Sequence, residues 1–509
     1  MPYTRGTGRT RHTGRKVALA GALGFALTLP MTLASSGSPA EAAAPSTSAV
    51  PAEGTRQSTD FQNLNGFMWY YNTYFGYRYK DVEKDLDNLK SRGIRVLGFF
   101  SPYSGDKKTC DGCDPVDFYS VSPQNGTMKD WKNLVAAAHR KGMKVVTYFV
   151  NIYLDDRSPY FEKAEKEYAA GDRTSREVSS FHWTDNPSEP LPQPRMGPAG
   201  VSSWAWSPTA GAFYWKLWFG PGFDYNLAGN AAEVERIEKF WLDTGIDGFM
   251  WDVGTTDTRW KNAAIDLPKT YTGTDKWLTS ERTNSSTAAA NQQFGYTSWF
   301  NYTDDDTVND YTRIVDGDID ANGLETALHN TDIARAAGST TFAWSIWGDD
   351  PATNLDPHTY PAYAQDDVMR VQEAALLAGS GMLYGSGMYD QYIHWPKQLR
   401  TDWEKVLETV NANKALLPAA DRTRVPAGDD PKVYAMRRTS EDGKQTALLV
   451  YNFDSTAKDV TVDLTGTGID THQTPRDLYK GGGADAINGS EYTVSLPAYG
   501  FRILDVTGR

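Results

Sequence analysis

Residues 233–253 read EVERIEKFWLDTGIDGFMWDV. Val234, Ile237 and Trp241 recur at helical spacing, Gly245 stands where such a helix would stop, and Ile246–Val253 is an apolar run of strand length. The same order returns along the chain. Lys80–Arg92 puts Val82, Leu86 and Leu89 on one helical face, followed by Gly93 and the run Ile94–Phe100. Thr127 is placed to cap a helix carrying Trp131, Leu134, Val135 and Ala138, followed by Gly142 and Lys144–Val150. A further unit runs Asp367–Ala378, Gly379, Gly381–Tyr384. Helix, glycine stop and buried strand repeated in one order predict parallel α/β architecture. A stretch of roughly 350 residues fits an α/β fold of (β/α)8 TIM-barrel type with insertions. A doubly wound sheet is the competing architecture, but no G-x-G-x-x-G opens a helix after the first strand.

The flanks read differently. The first 40 residues contain no Asp or Glu, carry Arg5, Arg9, Arg11, Arg15 and Lys16, and continue into the apolar run Val17–Leu33. With Ala40-Glu41-Ala42 as the cleavage site, residues 1–42 are expected to be a secretory signal peptide, and the product extracellular. Residues 43–58, rich in Ala, Pro, Ser and Thr, are expected to be a disordered leader. The barrel is expected over 59–420, with a short inserted domain at about 152–212 after the third strand. From 421 to 509 strand-like runs take over: Val433–Thr439, Gln445–Asn452, Asp459–Leu464, Tyr492–Leu496 and Gly500–Val506. Glu441-Asp442-Gly443 is a hairpin turn signal between the first two, and the segment predicts an antiparallel β-sandwich.

Composition narrows the function classes. Hydrophobic residues make up 40% of the 509 and charged ones 23%, as in soluble globular chains. Removing 1–42 takes five basic residues and one acidic residue from a chain of formal charge −13, leaving −17. Such a surface repels nucleic acid and anionic membranes and suits a neutral substrate. The 16 Trp and 28 Tyr fit either a large aromatic core or sugar-stacking surfaces in a cleft. Cys110 and Cys113 are the only cysteines and are expected to form a local disulfide in an oxidising compartment. A lone C-x-x-C with seven His in the chain argues against a zinc site.

In a parallel barrel the reacting groups stand at the C-terminal ends of strands. Asp252 ends GIDGFMWD, Glu281 ends KWLTSE, and Asp349 with Asp350 end TFAWSIWGDD. Any one of these could merely cap a helix or solvate a loop. Three at successive strand ends in a Trp-rich secreted chain favour glycoside hydrolysis, which needs two carboxyl groups flanking one bond.

Longer segments resemble glycoside hydrolase family 13, the α-amylase superfamily, in its oligo-1,6-glucosidase-like branch. Asp114-Pro-Val-Asp-Phe-Tyr with Val121-Ser-Pro-Gln-Asn-Gly-Thr127 resembles Y-D-V-x-D-Y…V-x-P-x-F-G-T. Ala137-His-Arg-Lys-Gly-Met-Lys-Val-Val is similar to A-H-x-x-G-I-K-V-I, and Phe240-Trp-Leu-Asp-Thr-Gly-Ile-Asp-Gly-Phe matches that branch closely. The resemblance runs over about 65–506 and implies a retaining α-glycosidase needing no cofactor, acting on carbohydrate. It gives Asp252 the nucleophile's role, Glu281 that of general acid/base and Asp349 that of the third carboxylate. Asp114, Asp350, Trp251, Trp347, Tyr148 and Met250 are the expected substrate-binding set.

The departures are grouped. The D-x-x-x-N-H block falls on Thr147…Asn151-Ile152, so its Asp and His are missing and its Asn is kept. Met250 stands where the family has Arg, and Gly348 where it has His. Losing Arg alone would strand a buried carboxylate; losing Arg and Asp together avoids that. The pattern implies a rebuilt pocket, a substrate other than maltose or isomaltose, and a higher pKa for Asp252 than the family's. Calcium at Asn151 stays open as an alternative, as does Glu325 in place of Glu281. A transglycosylase and a non-catalytic carbohydrate-binding homologue remain the rival functions.

Overall fold

The computed structural model describes residues 60–105, 114–192, 202–224, 226–252, 261, 265–273, 276–280, 283, 287–300, 310–344 and 366–508. Eight strands form one parallel sheet. They are β1 (Phe67–Tyr70), β2 (Val96–Phe100), β3 (Lys144–Phe149), β4 (Gly248–Trp251), β5 (Trp277–Ser280), β6 (Ser298–Phe300), β7 (Thr340–Trp344) and β8 (Met382–Met388). They pair in the order β5-β4-β3-β2-β1-β8-β7-β6, with β8 returning to β1. The ring closes between β5 and β6, where Thr297 N donates to Leu278 O at 3.0 Å. This is the expected (β/α)8 barrel.

Helices α1 (Tyr79–Ser91), α2 (Met128–Arg140), α3 (Ala228–Leu242), α4 (Ala321–Ala336), α5 (Asp367–Ser380) and α6 (Lys397–Asn411) lie outside the ring. Thr127 caps α2 through a reciprocal pair: its hydroxyl accepts from Asp130 N, and Asp130 Oδ2 accepts from Thr127 N. Gly379 does not end its helix as expected; α5 continues to Ser380. A Cβ there would lie 2.8 Å from a Leu449 methyl and 3.1 Å from the Tyr451 hydroxyl, so the glycine serves close packing against the C-terminal domain.

Between β3 and α3, four short strands form an antiparallel sheet. It extends beyond residue 212 to Pro221, because Ala212–Leu217 pairs along its length with Ser202–Ser207.

The C-terminal domain contains β9 (Asp421–Val425), β10 (Val433–Thr439), β11 (Thr446–Asn452), β12 (Lys458–Asp463), β13 (Glu491–Leu496) and β14 (Phe501–Asp505). β9, β10, β11, β14 and Arg476–Asp477 make a five-stranded antiparallel sheet; β12 and β13 pair separately. Alternation along the strands divides the side chains. Val433, Ala435, Leu448 and Val450 join Val460, Val462, Tyr492 and Val494 in the β-domain's own core. Tyr434, Met436, Leu449 and Tyr451 join the barrel's core. Strand β9, unmarked in sequence, supplies Arg422, whose buried guanidinium contacts Glu325 at 2.6 and 3.0 Å and Asp332 at 2.7 Å on α4. Glu325 is thus a domain-junction residue.

Within the barrel, Gly98 on β2 lies directly opposite Trp69 on β1. A Cβ at Gly98 would fall 1.8 Å from the Trp69 ring. Gly98→Val should therefore cost about 3 kcal/mol or more by overpacking, read as a lowered urea midpoint. An unchanged midpoint would show that the barrel interior can absorb the displaced indole.

Candidate active site

The C-terminal ends of β1 to β4 converge on Asp252. Tyr71, which follows β1, stacks on Phe100 of β2 at 4.4 Å and 13°, and Phe100 stacks on Tyr148 of β3 at 4.5 Å and 22°. All three rings are buried. The Tyr148 hydroxyl donates to Asp252 Oδ1 at 2.9 Å, and Asp252 N donates to Phe149 O at 3.1 Å. The β3–β4 register sets Met250 opposite Tyr148, so strand alternation turns Met250 and Asp252 towards one face. Trp251 belongs to the other face. It is fully buried, stacked on Phe249 at 5.1 Å and edge-on to Phe149 at 5.2 Å, and so packs the barrel wall.

A second group of carboxylates stands beside the first. Asp114 is buried and its Oδ1 has no hydrogen-bond partner. Burial, reinforced by the neighbouring Asp155, pushes its pKa up to about 8. Asp155 accepts from Arg157 N and Nε at 2.7 and 2.8 Å, and those donors hold its carboxyl below the usual range despite burial. Of the two, Asp114 is the one whose surroundings favour the protonated form. The Tyr103 phenol lies within the fields of both Asp114 and Asp252, which add to burial in raising its pKa. It accepts from Val150 N at 2.9 Å and from the Ser101 hydroxyl at 3.1 Å. Ser101 itself, just past β2, holds φ at 48°, a left-handed value that a non-glycine residue adopts only under constraint. Tyr103 and Ser101 went unnoticed in the sequence, although Ser101 immediately follows a strand end, the signal used for Asp252, and Tyr103 lies two residues further on.

Glu281, Asp349, Asp350, Trp347, Gly348, Cys110 and Cys113 lie outside the described residues. Strands β4 and β5 end in register, with Trp251 opposite Ser280. Ile152 and Met250, which replace polar family residues, are both buried. Asn151 is buried too, and among the described residues no group of three His, Cys, Asp or Glu side chains is placed to hold a metal. Nor is any described helix long and apolar enough to cross a membrane. A cavity of about 370 Å³ lies beyond the opposite end of β4, lined by Asp60, His139, Lys144 and Asp247. There Asp247 pairs with His139 at 2.7 Å and Lys144 at 3.3 Å.

Comparison with known proteins agrees with this architecture. Residues 76–303 match the alpha amylase catalytic domain, and 423–503 the maltogenic amylase C-terminal domain. The chain thus carries an α-amylase-type catalytic domain followed by a maltogenic-amylase-type β-domain, as the resemblance to glycoside hydrolase family 13 implied. The trehalose synthase/amylase TreS of Mycolicibacterium smegmatis is 30% identical over 178 residues, 34% of this chain and 29% of that protein. The amino acid transporter heavy chain SLC3A1 of Rattus norvegicus is 28% identical over 179 residues, 34% of this chain and 25% of its own. The chain therefore spans under a third of either relative. Eubacterium rectale Amy13B shares the fold with a TM-score of 0.64 at 15% identity, covering 89% of this chain and 98% of its own.

The carboxyl pair has a measurable signature. A folded pKa for Asp114 above its unfolded value means that the native state favours the protonated form, so stability falls as pH rises from about 4 towards 8. Asp114→Asn removes that titration. Its stability relative to the parent should improve between pH 5 and pH 8 by on the order of 1–2 kcal/mol in urea unfolding. A difference that stays flat with pH would place an ionised Asp114 in the folded state.

Proposed function

We propose that the protein is a secreted, retaining α-glycoside hydrolase acting on α-linked oligo- or polysaccharide other than ordinary maltose or starch. The observation that carries this reading is the buried Asp252, hydrogen-bonded by Tyr148 at the C-terminal end of β4 within an α-amylase-type domain. The amino-terminal segment 1–42, read as a signal peptide, supports export.

In this reading Asp252 attacks the anomeric carbon. Glu281 protonates the leaving oxygen and then activates water against the glycosyl–enzyme ester. The two-step route requires the carboxyl groups about 5–5.5 Å apart, whereas inversion requires about 6.5–9.5 Å. The paired ends of β4 and β5 at Trp251 and Ser280 support the short spacing, since Asp252 and Glu281 are the next residues in sequence. Asp349, with Asp350 as its neighbour, is assigned to ring hydroxyls. The apolar Ile152 and Met250 support a displaced sugar preference, because neither can donate to a hydroxyl. Likeness to a trehalose synthase/amylase favours, as a second reading, glycosyl transfer to a sugar hydroxyl through the same intermediate. Likeness to a transporter heavy chain favours a third, a non-catalytic homologue.

A panel of α-linked disaccharides and oligosaccharides, incubated with and without acceptor sugar and resolved by chromatography, separates the three. Hydrolysis products retaining the starting anomer by proton NMR are expected. Transfer products with little hydrolysis would select the second reading, and a chain inert on the whole panel the third. Asp252→Asn should lower turnover about 10⁴-fold or more. Glu281→Gln should spare activated aryl glycosides far more than natural linkages. Inverted product would overturn both roles.

A further inference from the structure

We infer that Tyr148 is a positioning residue for Asp252: its phenol fixes one carboxylate oxygen and holds the group ionised. The inference rests on the assignment of Asp252 as nucleophile. Tyr148 donates to Asp252 Oδ1 at 2.9 Å with both side chains buried. A hydrogen bond given to the charged form of an acid favours that form, and away from water the preference is strong. Among side chains that can do this, a phenol adds no charge.

The direction of the phenol is set before any substrate arrives. Tyr148 lies at the end of a row of rings, Tyr71 on Phe100 and Phe100 on Tyr148, contributed by three successive strand ends of the barrel. Stacking at 4.4 and 4.5 Å with tilts of 13° and 22° confines the Tyr148 ring to one plane. Opposite Tyr148 on β4 stands Met250, which brings no charge to the same face. Asp252 N is in turn fixed by Phe149 O, the residue next to Tyr148 on β3. The carboxylate is therefore held from its backbone and from one oxygen by two adjacent residues of one strand. The second oxygen is the atom assigned to attack.

Tyr103 also lies in the field of Asp252, and beyond it stand Asp114, Asp155 and Arg157. The test leaves all four unchanged. Tyr148→Phe keeps the ring stack and removes only the donor. Its kcat on the panel glycoside that the parent cleaves fastest should fall about ten- to a hundred-fold, and the acid limb of kcat/KM should move up by about one pH unit. Its thermal midpoint should stay within a few degrees of the parent's. As an independent readout, the rate of covalent labelling by 5-fluoro-α-glucosyl fluoride, followed by intact mass, should show the same upward shift. Phe100→Leu, which loosens the stack but retains the hydroxyl, should lower kcat less and displace the acid limb in the same direction.

An acid limb that does not move in Tyr148→Phe, whatever happens to kcat, overturns the inference. If Asp252→Asn is inert in parallel, the nucleophile assignment survives that result. If Asp252→Asn turns over like the parent, or the parent is inert on every glycoside of the panel and is not labelled, the assignment falls and the inference with it.

Discussion

Everything at the mouth of the barrel depends on a closed ring of backbone hydrogen bonds. Eight short strands would leave two open edges, each a row of unsatisfied donors and acceptors. The bond from Thr297 N to Leu278 O joins those two edges. Pairing of β1 with β2, β2 with β3 and β3 with β4 fixes the strand ends relative to one another, and that is why Tyr71, Phe100, Tyr148 and Asp252, drawn from four strands, meet as neighbours. No local sequence preference could bring residues 71 and 252 together. The barrel interior is set with similar stringency, down to a glycine on β2 that vacates the space of a tryptophan on β1.

The electrostatics of the mouth are those of carboxyl groups managed largely by neutral neighbours. Asp252 takes a hydrogen bond from a phenol. Burial, with Asp155 beside it, raises the pKa of Asp114, while Arg157 holds that of Asp155 down. Thr147 and Met250, on β3 and β4, are both buried and bring no charge that would need a partner.

Much of the fold was legible because its signals are local. A capping Thr, an apolar face at helical spacing and a glycine stop each act within one turn, and Gly93, Gly142 and Gly245 all adopt positive φ where expected. Gly379 misled for the opposite reason: its smallness answers to Leu449 and Tyr451, seventy residues onward. Strand β9 was silent because DRTRV is mostly polar, and the partners of its Arg422, Glu325 and Asp332, lie on a distant helix. At the site, strand-end position singled out Asp252. It could not show that Tyr148 would donate to Asp252 or that Trp251 would turn into the wall, because both depend on the β3–β4 register. Nor did it flag Tyr103, which carries no charge and follows its strand by three residues.

The five-stranded sheet, buried on both faces, constrains how the chain reaches its native state. Helix α5 is buried along nearly its whole length from Val371 to Ser380, and part of its cover is strand β11. A chain growing from its amino terminus completes α5, β8 and α6 before residues 446–452 exist. During that interval the last segment of the barrel presents an uncovered apolar helix. The ring can begin to assemble early, but its final wall seals only when the tail folds back. A chain arrested before residue 446 therefore leaves the face of α5 that β11 covers open to solvent, and such a chain is prone to aggregate.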